Sequence, residues 1–166
     1  MTDGANGQPG MTTAYALAQA VAESVDRDAA FAAVAQAANA LIGHRLFTVM
    51  RFDAAAMEVQ RIYSSNPDVY PPGLRKAKRD TWWGAHVLEQ GRAYIGRDAD
   101  DIRAHFIDHE VIAGLGLAAI LNVPVRVCGR TVGTMNLLHS AGHYEAQHVA
   151  PGRLCAGLLA APLLLA

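Results

Sequence analysis

Apolar and polar residues alternate along residues 118–139, and this alternation predicts a β-hairpin. Every second position of 121–127 is apolar, Gly129-Arg130 interrupts the pattern, and residues 131–138 resume it. A strand with one apolar face packs that face on helices and leaves its other face for a different use. We therefore expect this hairpin to lie at the centre of the fold, and its polar face to carry the functional question.

Hydrophobic spacing, capping residues and turn residues predict the other elements. In chain order they are a helix from Tyr15 to near Asp26, a helix capped by Asp28 that runs through Ile42 and ends at Gly43, strands at 45–53 and 58–64, a polar loop at 66–73, a short helix capped by Thr81 and ended by Gly91, a short strand at 93–95, helical turns at 99–103 and 109–115 capped by Asp98 and Asp108, and a final helix starting at Ala146 or Pro151. Residues 1–13 lack periodicity and are predicted to be disordered.

Hairpin-linked strands imply an antiparallel sheet, with the long terminal helices on one face and the short middle elements on the other. The predicted fold class is therefore α+β, as a single domain over residues 14–166.

Charge argues against nucleic acid as a partner. Lys and Arg number 14 against 15 for Asp and Glu, for a net charge of -1. The basic run from Arg75 to Arg79 is interpreted as a solvated loop, from which Arg79 could reach an anionic ligand. No groove of phosphate-binding charge is evident.

The chain also lacks the patterns of secreted and membrane proteins. Its 2 cysteines, Cys128 in a predicted turn and Cys155 in a predicted helix, cannot make a disulfide framework. No signal-peptide pattern precedes the first helix. The uncharged stretch 154–166 is shorter than the roughly 20 apolar residues of a membrane helix, and Pro162 interrupts it. We expect a cytoplasmic protein whose last helix docks on the domain or forms an interface.

Two stretches together resemble a GAF domain, the small-molecule sensor module related to PAS domains. In the more specific one, Leu121-Asn122-Val123-Pro124-Val125 leads through Gly129-Arg130 to Val132-Gly133-Thr134-Met135-Asn136-Leu137 and a final helix. Thr81 to Gly91, followed by Ala93-Tyr94-Ile95, is similar to the middle helix and strand of that family. The resemblance runs from about Phe31 to Leu164. It implies a central antiparallel sheet with the N- and C-terminal helices on one face and a pocket under short helices and loops on the other.

The register of the hairpin determines which side chains reach that pocket. With a turn formed by Cys128-Gly129-Arg130, Asn122 lies opposite Asn136 and both amides face the pocket. Amides donate and accept hydrogen bonds, which suits a purine, an amide or a small polar metabolite. In the alternative interpretation, the two amides satisfy one another or nearby backbone.

The other candidate ligand-binding residues are aromatic and polar side chains of the strands, loop and short helices, namely Trp83, Tyr63, Thr48, Tyr70 and His109. Adjacent residues of a helix point in different directions, so at most one of Trp82 and Trp83 faces inward. Trp83 is favoured as an aromatic wall for a flat ligand. A core role for both tryptophans is the alternative.

Catalysis is not expected from these residues. Free methionine-(R)-sulfoxide reductases are GAF-like enzymes. Those enzymes need cysteines in the loop and at the start of the middle helix, and acids on the last strand. Here Trp83 stands in place of a cysteine, while Asn136 and Leu138 stand in place of acids. A thiolate nucleophile and its resolving partner are both missing. Neither Cys128 nor Cys155 resembles the family's bilin-attachment cysteine, and its Asn-Lys-Phe-Asp motif for cyclic nucleotides is not evident.

Histidines raise the question of a metal or haem site. His105 and His109 are four residues apart beside Glu110, and three more histidines follow between residues 139 and 148. Residues 106–108 break the helix between the first pair. We favour solvated or pocket-lining histidines, with no metal ligands and no resident cofactor.

The expected function is a stand-alone, non-catalytic sensor that binds a small-molecule ligand. Binding is expected to order residues 66–79 and 98–115 and to change how the terminal helices pack. A homodimer surface is expected from the Ala-rich first helix and leucines of the last, namely Leu154, Leu158, Leu159 and Leu163 to Leu165. Output would pass to the protein itself or to a separate signalling partner.

Two other classes of function remain as alternatives. One is an enzyme that acts through histidine or a bound metal. The other is a purely structural dimerisation module whose pocket is filled by Trp83, Tyr63 and Met50.

Overall fold

One antiparallel sheet lies between two helical layers in the computed structural model, which describes residues 10–165. The α-helices are α1 (Met11–Ala22), α2 (Arg27–Leu41), α3 (Ala99–His105), α4 (His109–Gly114), α5 (Val149–Leu158) and α6 (Ala160–Leu164). A π-helical turn spans Gly84–Glu89 and a 3₁₀ turn spans Ala146–His148. The strands are β1 (Leu46–Asp53), β2 (Glu58–Ser64), β3 (Arg75–Ala77), β4 (Tyr94–Gly96), β5 (Ala119–Val127) and β6 (Arg130–His139).

The strands pair in the order β3-β2-β1-β6-β5-β4, and every neighbouring pair is antiparallel. The helices α1, α2, α5 and α6 cover one face, whereas the π-helical turn, α3 and α4 cover the other. This architecture confirms the predicted α+β fold class, with terminal helices on one face. Within the described range, no helix has the length and apolar character needed to span a membrane.

The face under the terminal helices carries the larger hydrophobic core. Phe31 of α2, Phe47 of β1 and Leu137 of β6 are completely buried there. Leu159 and Leu163 also lie in this core. Their expected position on a dimer surface is therefore wrong. Leu164 and Leu165 remain exposed, so the last helical segment keeps only part of the predicted apolar surface.

Helix termini differ from the prediction near the start of the chain. Residues 11–13, expected to be disordered, begin α1, while residues 1–9 lie outside the described part. The cap of α2 is Asp26 and not Asp28, because the Asp26 carboxylate accepts a hydrogen bond from the Ala29 N–H at 2.8 Å. Asp28 lies in the first turn instead, where its charge complements the helix dipole.

The hairpin reaches the predicted register by a different route. Cys128 and Gly129 alone form the turn, both with positive φ (48° and 76°), as in a type I′ hairpin. A bulge between Val125 and Arg126 then shifts the pairing by one residue. The bulge offsets the shorter turn, so that Asn122 lies opposite Asn136 as predicted.

A second bulge decides which face Tyr63 occupies. Pairing between β1 and β2 shifts between Val49 and Met50, which turns Tyr63 away from the face that carries Arg61. The Tyr63 ring packs instead near Phe31 and Phe47, at centroid distances of 5.6 and 6.1 Å. The expected pocket position of Tyr63 is therefore wrong.

The basic run at residues 75–79 is also not simply a loop. Its first part forms the edge strand β3, which pairs with β2 through Lys76 opposite Val59. Charged side chains are typical of exposed sheet edges. This edge brings Lys76 and Lys78 over the polar face of the sheet.

Candidate ligand-binding site

A cavity of about 40 Å³ lies between the sheet and the layer of short helices. Strands β1, β5 and β6 form its floor through Thr48, Asn122 and Asn136, and Trp83 and Phe106 contribute to its walls. This volume holds a few water molecules. A metabolite would require side chains of the lining to move.

A directed chain of hydrogen bonds crosses the floor. The Trp83 indole Nε1–H donates to the Asn122 side-chain oxygen at 3.0 Å, and the Asn122 amide nitrogen donates to the Asn136 oxygen at 2.7 Å. The Asn136 amide nitrogen then donates to Thr48 Oγ1 at 3.2 Å. An indole N–H can only donate, so Trp83 fixes the orientation of both amides.

The floor amides therefore satisfy one another, as one of the two interpretations of the sequence proposed. Asn122 and Asn136 are 1% and 3% exposed, and each amide oxygen already accepts a hydrogen bond. The Asn136 amide nitrogen also donates to the Thr48 carbonyl oxygen at 3.5 Å, so the second N–H of Asn122 and the Thr48 hydroxyl hydrogen are the donors that remain for a ligand. A floor whose amides are already oriented presents these donors without rearranging its own hydrogen bonds.

An ion-paired cluster closes one side of the cavity. Lys76 Nζ lies 2.9 Å from Asp108 Oδ2, and the Tyr70 hydroxyl donates to the same oxygen at 3.1 Å. Burial acts to raise the pKa of Asp108, but its bonds to Lys76 and Tyr70 outweigh burial and lower it overall. Burial and the Asp108 charge both raise the pKa of Tyr70. Asp108 precedes α4 as predicted, but its side chain makes this cluster and does not cap the helix.

The residue pattern placed none of the three lining cations at the site, namely Arg61, Lys76 and Lys78. Arg61 is 2% exposed, and its guanidinium lies over the Tyr70 ring, 4.6 Å from the centroid. Lys78 Nζ lies 4.7 Å from the centroid of the Trp83 ring. Arg79, the cation expected to reach a ligand, instead donates to the backbone carbonyls of residues 55 and 56 and is absent from the cavity lining.

The remaining candidates divide between the cavity and the outer surface. Tyr70 and Thr48 line the cavity, whereas His109 on α4 lies outside its lining, which corrects its expected position. Trp83 is 3% exposed and inward-facing, as favoured, while Trp82 is 52% exposed and stacks on His86 and His105.

An outer groove adjoins the cavity and has a volume of about 410 Å³. Its apolar wall comes from exposed side chains of the 69–74 loop and of the α3–α4 region, namely Val69, Leu74, Ile107 and Val111. Arg61, Tyr70, Lys76 and Asp108 line both the groove and the cavity. These four side chains separate the two spaces.

Neither cysteine belongs to the cavity. Cys128 is exposed in the hairpin turn, and Cys155 is buried in the core under α5. Burial raises the pKa of the Cys155 thiol to about 11, which disfavours the thiolate. Within residues 10–165, His, Cys, Asp and Glu side chains form no group of three or more that could hold a metal ion.

Comparison with known proteins gives a consistent result. A family model described as GAF domain matches residues 24–161. No curated protein matches the chain by sequence.

Solved structures share the architecture at low sequence identity. The GAF domain of a phosphoenolpyruvate-protein phosphotransferase from Coxiella burnetii has a TM-score of 0.75 and 17% identity, over 93% of this chain and 92% of that chain. The corresponding domain from Acinetobacter gives 0.73 and 11%, over 95% of both chains. A free methionine-R-sulfoxide reductase from Neisseria meningitidis, solved with its substrate, gives 0.68 and 14%, over 95% of this chain and 93% of that chain. At these identities the likeness concerns the fold.

Proposed function

The chain belongs to the GAF domain family, whose members are sensory modules of signalling proteins, and from this premise we propose that it binds a small molecule in the cavity above Asn122 and Asn136 without transforming it. The observation that carries the proposal is the buried polar floor. Burying the Arg61 cation with an unsatisfied Nε is unfavourable, and a pure packing surface would use apolar residues in place of the polar floor. Ligand sites combine an apolar lining with a few fixed polar groups in this way.

The chemistry of the lining supports binding over catalysis. The sulfoxide reductase in complex with its substrate shares the fold, but both cysteines of this chain lie outside the cavity lining. The aromatic Trp83 occupies the cavity wall. An assay with free methionine-R-sulfoxide and a thiol reductant is expected to give no turnover, and measurable turnover would assign the domain to the enzymes.

The strand β5 links the cavity to the terminal helices. Asn122 faces the cavity, while its neighbours Leu121 and Val123 pack in the core under the terminal helices. Gly152 of α5 approaches Val123 so closely that an added Cβ would lie 3.1 Å from its side chain. Ligand binding acts by shifting the population of residues 66–79 and 98–115, and β5 passes this shift to α5.

Output passes through a homodimer formed by the terminal helices. Exposed apolar side chains on α1 and at the end of α6 support this surface, namely Met11, Tyr15, Leu164 and Leu165. Light scattering is expected to give twice the 17.6 kDa chain mass, and Leu164→Ser with Leu165→Ser is expected to reduce it. A monomer at high concentration would contradict the dimer without affecting the ligand site.

The two adjacent tryptophans provide a matched test of the binding site. Thermal denaturation with a broad panel of small metabolites is expected to raise the midpoint for at least one compound. Trp83→Phe should lose at least half of that shift because it removes a cavity wall and the indole donor, whereas Trp82→Phe should retain it. If no compound stabilises the wild type, or if Trp83→Phe responds like the wild type, the structural dimerisation module becomes the better account.

A further inference from the structure

The charges that line the cavity are unbalanced. Three cations, Arg61, Lys76 and Lys78, share the lining with a single carboxylate, Asp108. Asp108 pairs with Lys76. In the described part of the chain, no carboxylate lies within ion-pair distance of Arg61 or Lys78. The cavity therefore carries two positive charges more than its own acid compensates.

Arg61 has one buried donor without an acceptor among the described residues. Its Nη1 donates to the carbonyl oxygen of Pro71 at 3.1 Å, but its Nε is buried and has no hydrogen-bond partner among the described residues. A guanidinium carries five N–H donors, and burying one unsatisfied is unfavourable. Desolvation lowers the pKa of Arg61, which is the direction expected for a cation held away from water.

Lys78 is held between aromatic rings. Its Nζ lies 4.7 Å from the Trp83 centroid and 5.9 Å from the Phe106 centroid. Ring faces attract a cation but do not neutralise it. Burial, with a smaller effect of the neighbouring Lys76 charge, lowers the pKa of Lys78 to about 8.

Apolar surface completes the description of the site. Leu46, Ile112, Ile120 and Leu138 line the cavity, and the adjoining groove is apolar on its outer side. A strongly hydrated dianion such as phosphate would also lose its water against these aliphatic side chains, which offer it no hydrogen bond. A carboxylate on an apolar body fits both the charge and the lining.

Resting on the proposed function of this cavity, we propose that its ligand is a small organic carboxylate, with the negative charge balanced by Arg61 and Lys78 and the apolar body against the aliphatic lining. The carboxylate accepts the one hydrogen bond that Arg61 Nε–H lacks in the free protein. Charge-assisted bonds of this kind are stronger than bonds between neutral groups.

Calorimetric titration of the full chain separates charge from shape. The probes are acetate, butyrate, hexanoate and benzoate, each paired with its neutral amide, together with inorganic phosphate. At least one acid is expected to bind about tenfold more tightly than its amide. Arg61→Met and Lys78→Met should each weaken that acid about tenfold, whereas Arg79→Met, on the same segment but outside the cavity, should leave it unchanged.

The outcomes distinguish this inference from the function on which it rests. Equal affinity for acid and amide, preference for phosphate, or unchanged binding by Lys78→Met would overturn the carboxylate class while leaving a ligand site. Failure of all four acids, with stabilisation by another metabolite, would do the same. If Arg61→Met does not fold, Lys78→Met carries the test. Absence of binding by the acids, the amides and the broad metabolite panel would overturn both proposals.

Discussion

The two faces of the sheet are built from the same strands but differ in chemistry. Toward the terminal helices the buried side chains are apolar, as with Phe47, Leu121 and Leu137. Toward the short helices, the same three strands place Thr48, Asn122 and Asn136 against a cavity. Apolar burial supplies most folding free energy, and uncompensated buried polar groups reduce it. The face under the terminal helices therefore contributes most to stability. The cavity face carries the polar groups that could contact a ligand.

Truncation on the two faces should give the largest contrast. Phe47→Ala is expected to reduce the free energy of unfolding by about 3–5 kcal/mol, since it leaves a void in a closed core. Met50→Ala should cost less than about 2 kcal/mol because Met50 is half-buried beside existing empty space. Urea denaturation measures both, and equal losses would break the distinction between the faces.

The floor of the cavity should show an intermediate effect. Trp83→Phe removes the donor to the Asn122 oxygen, and a buried acceptor left without a partner costs about 1–3 kcal/mol. Trp82→Phe, on the exposed side of the same turn, is the control and should change stability by less than about 0.5 kcal/mol. If both variants unfold alike, the hydrogen-bonded chain is not a stabilising feature.

Removing a cavity cation should raise stability. Lys78→Met keeps the length of the side chain and removes an uncompensated charge, so the free protein is expected to gain about 0.5–2 kcal/mol. Lys76→Met should do the reverse, because Asp108 would lose its cation partner. Urea denaturation at neutral pH compares the two, and a destabilised Lys78→Met would indicate a structural role for that charge.

The pH dependence of stability isolates the same charge. The pKa of Lys78 falls from its ordinary value of 10.5 to about 8 in the folded chain, mainly through burial. Between these values the unfolded chain binds more protons than the folded chain, so stability rises with pH in that window. The free energy of unfolding of the wild type should therefore rise relative to that of Lys78→Met as the pH increases above 8. Below pH 8 the difference between the two should be constant. If the stability curves of the wild type and Lys78→Met stay parallel on both sides of pH 8, the lowered pKa of Lys78 is contradicted.

Local pattern was sufficient to predict the α+β fold class and the common face of Asn122 and Asn136. The assumed three-residue turn placed the two asparagines opposite one another, and the structure keeps that pairing only because the bulge at Val125 offsets its two-residue turn. The bulge that turns Tyr63 to the other face left no comparable pattern in the sequence, since it depends on how β1 and β2 pair.

The cations were missed for a different reason. Arg61 shares a face with Val59 by simple alternation, but its burial depends on the 66–73 loop, whose Tyr70 ring and Pro71 carbonyl contact its guanidinium. Lys78 follows a three-residue edge strand that is too short to show a period. Their surroundings depend on how separate strands, loops and helices pack together, and not on the residue pattern within one strand.

The indole resonances of the two tryptophans test the central account most directly. Trp83 Nε1–H lies at the cavity and Trp82 lies outside it, and Trp82→Phe assigns the two signals in a ¹H–¹⁵N correlation spectrum. Addition of the tightest-binding carboxylate of the acetate, butyrate, hexanoate and benzoate set is expected to shift the Trp83 signal and leave the Trp82 signal in place. A spectrum in which the bound acid moves neither signal, or moves Trp82 alone, would contradict a carboxylate site on this face of the sheet.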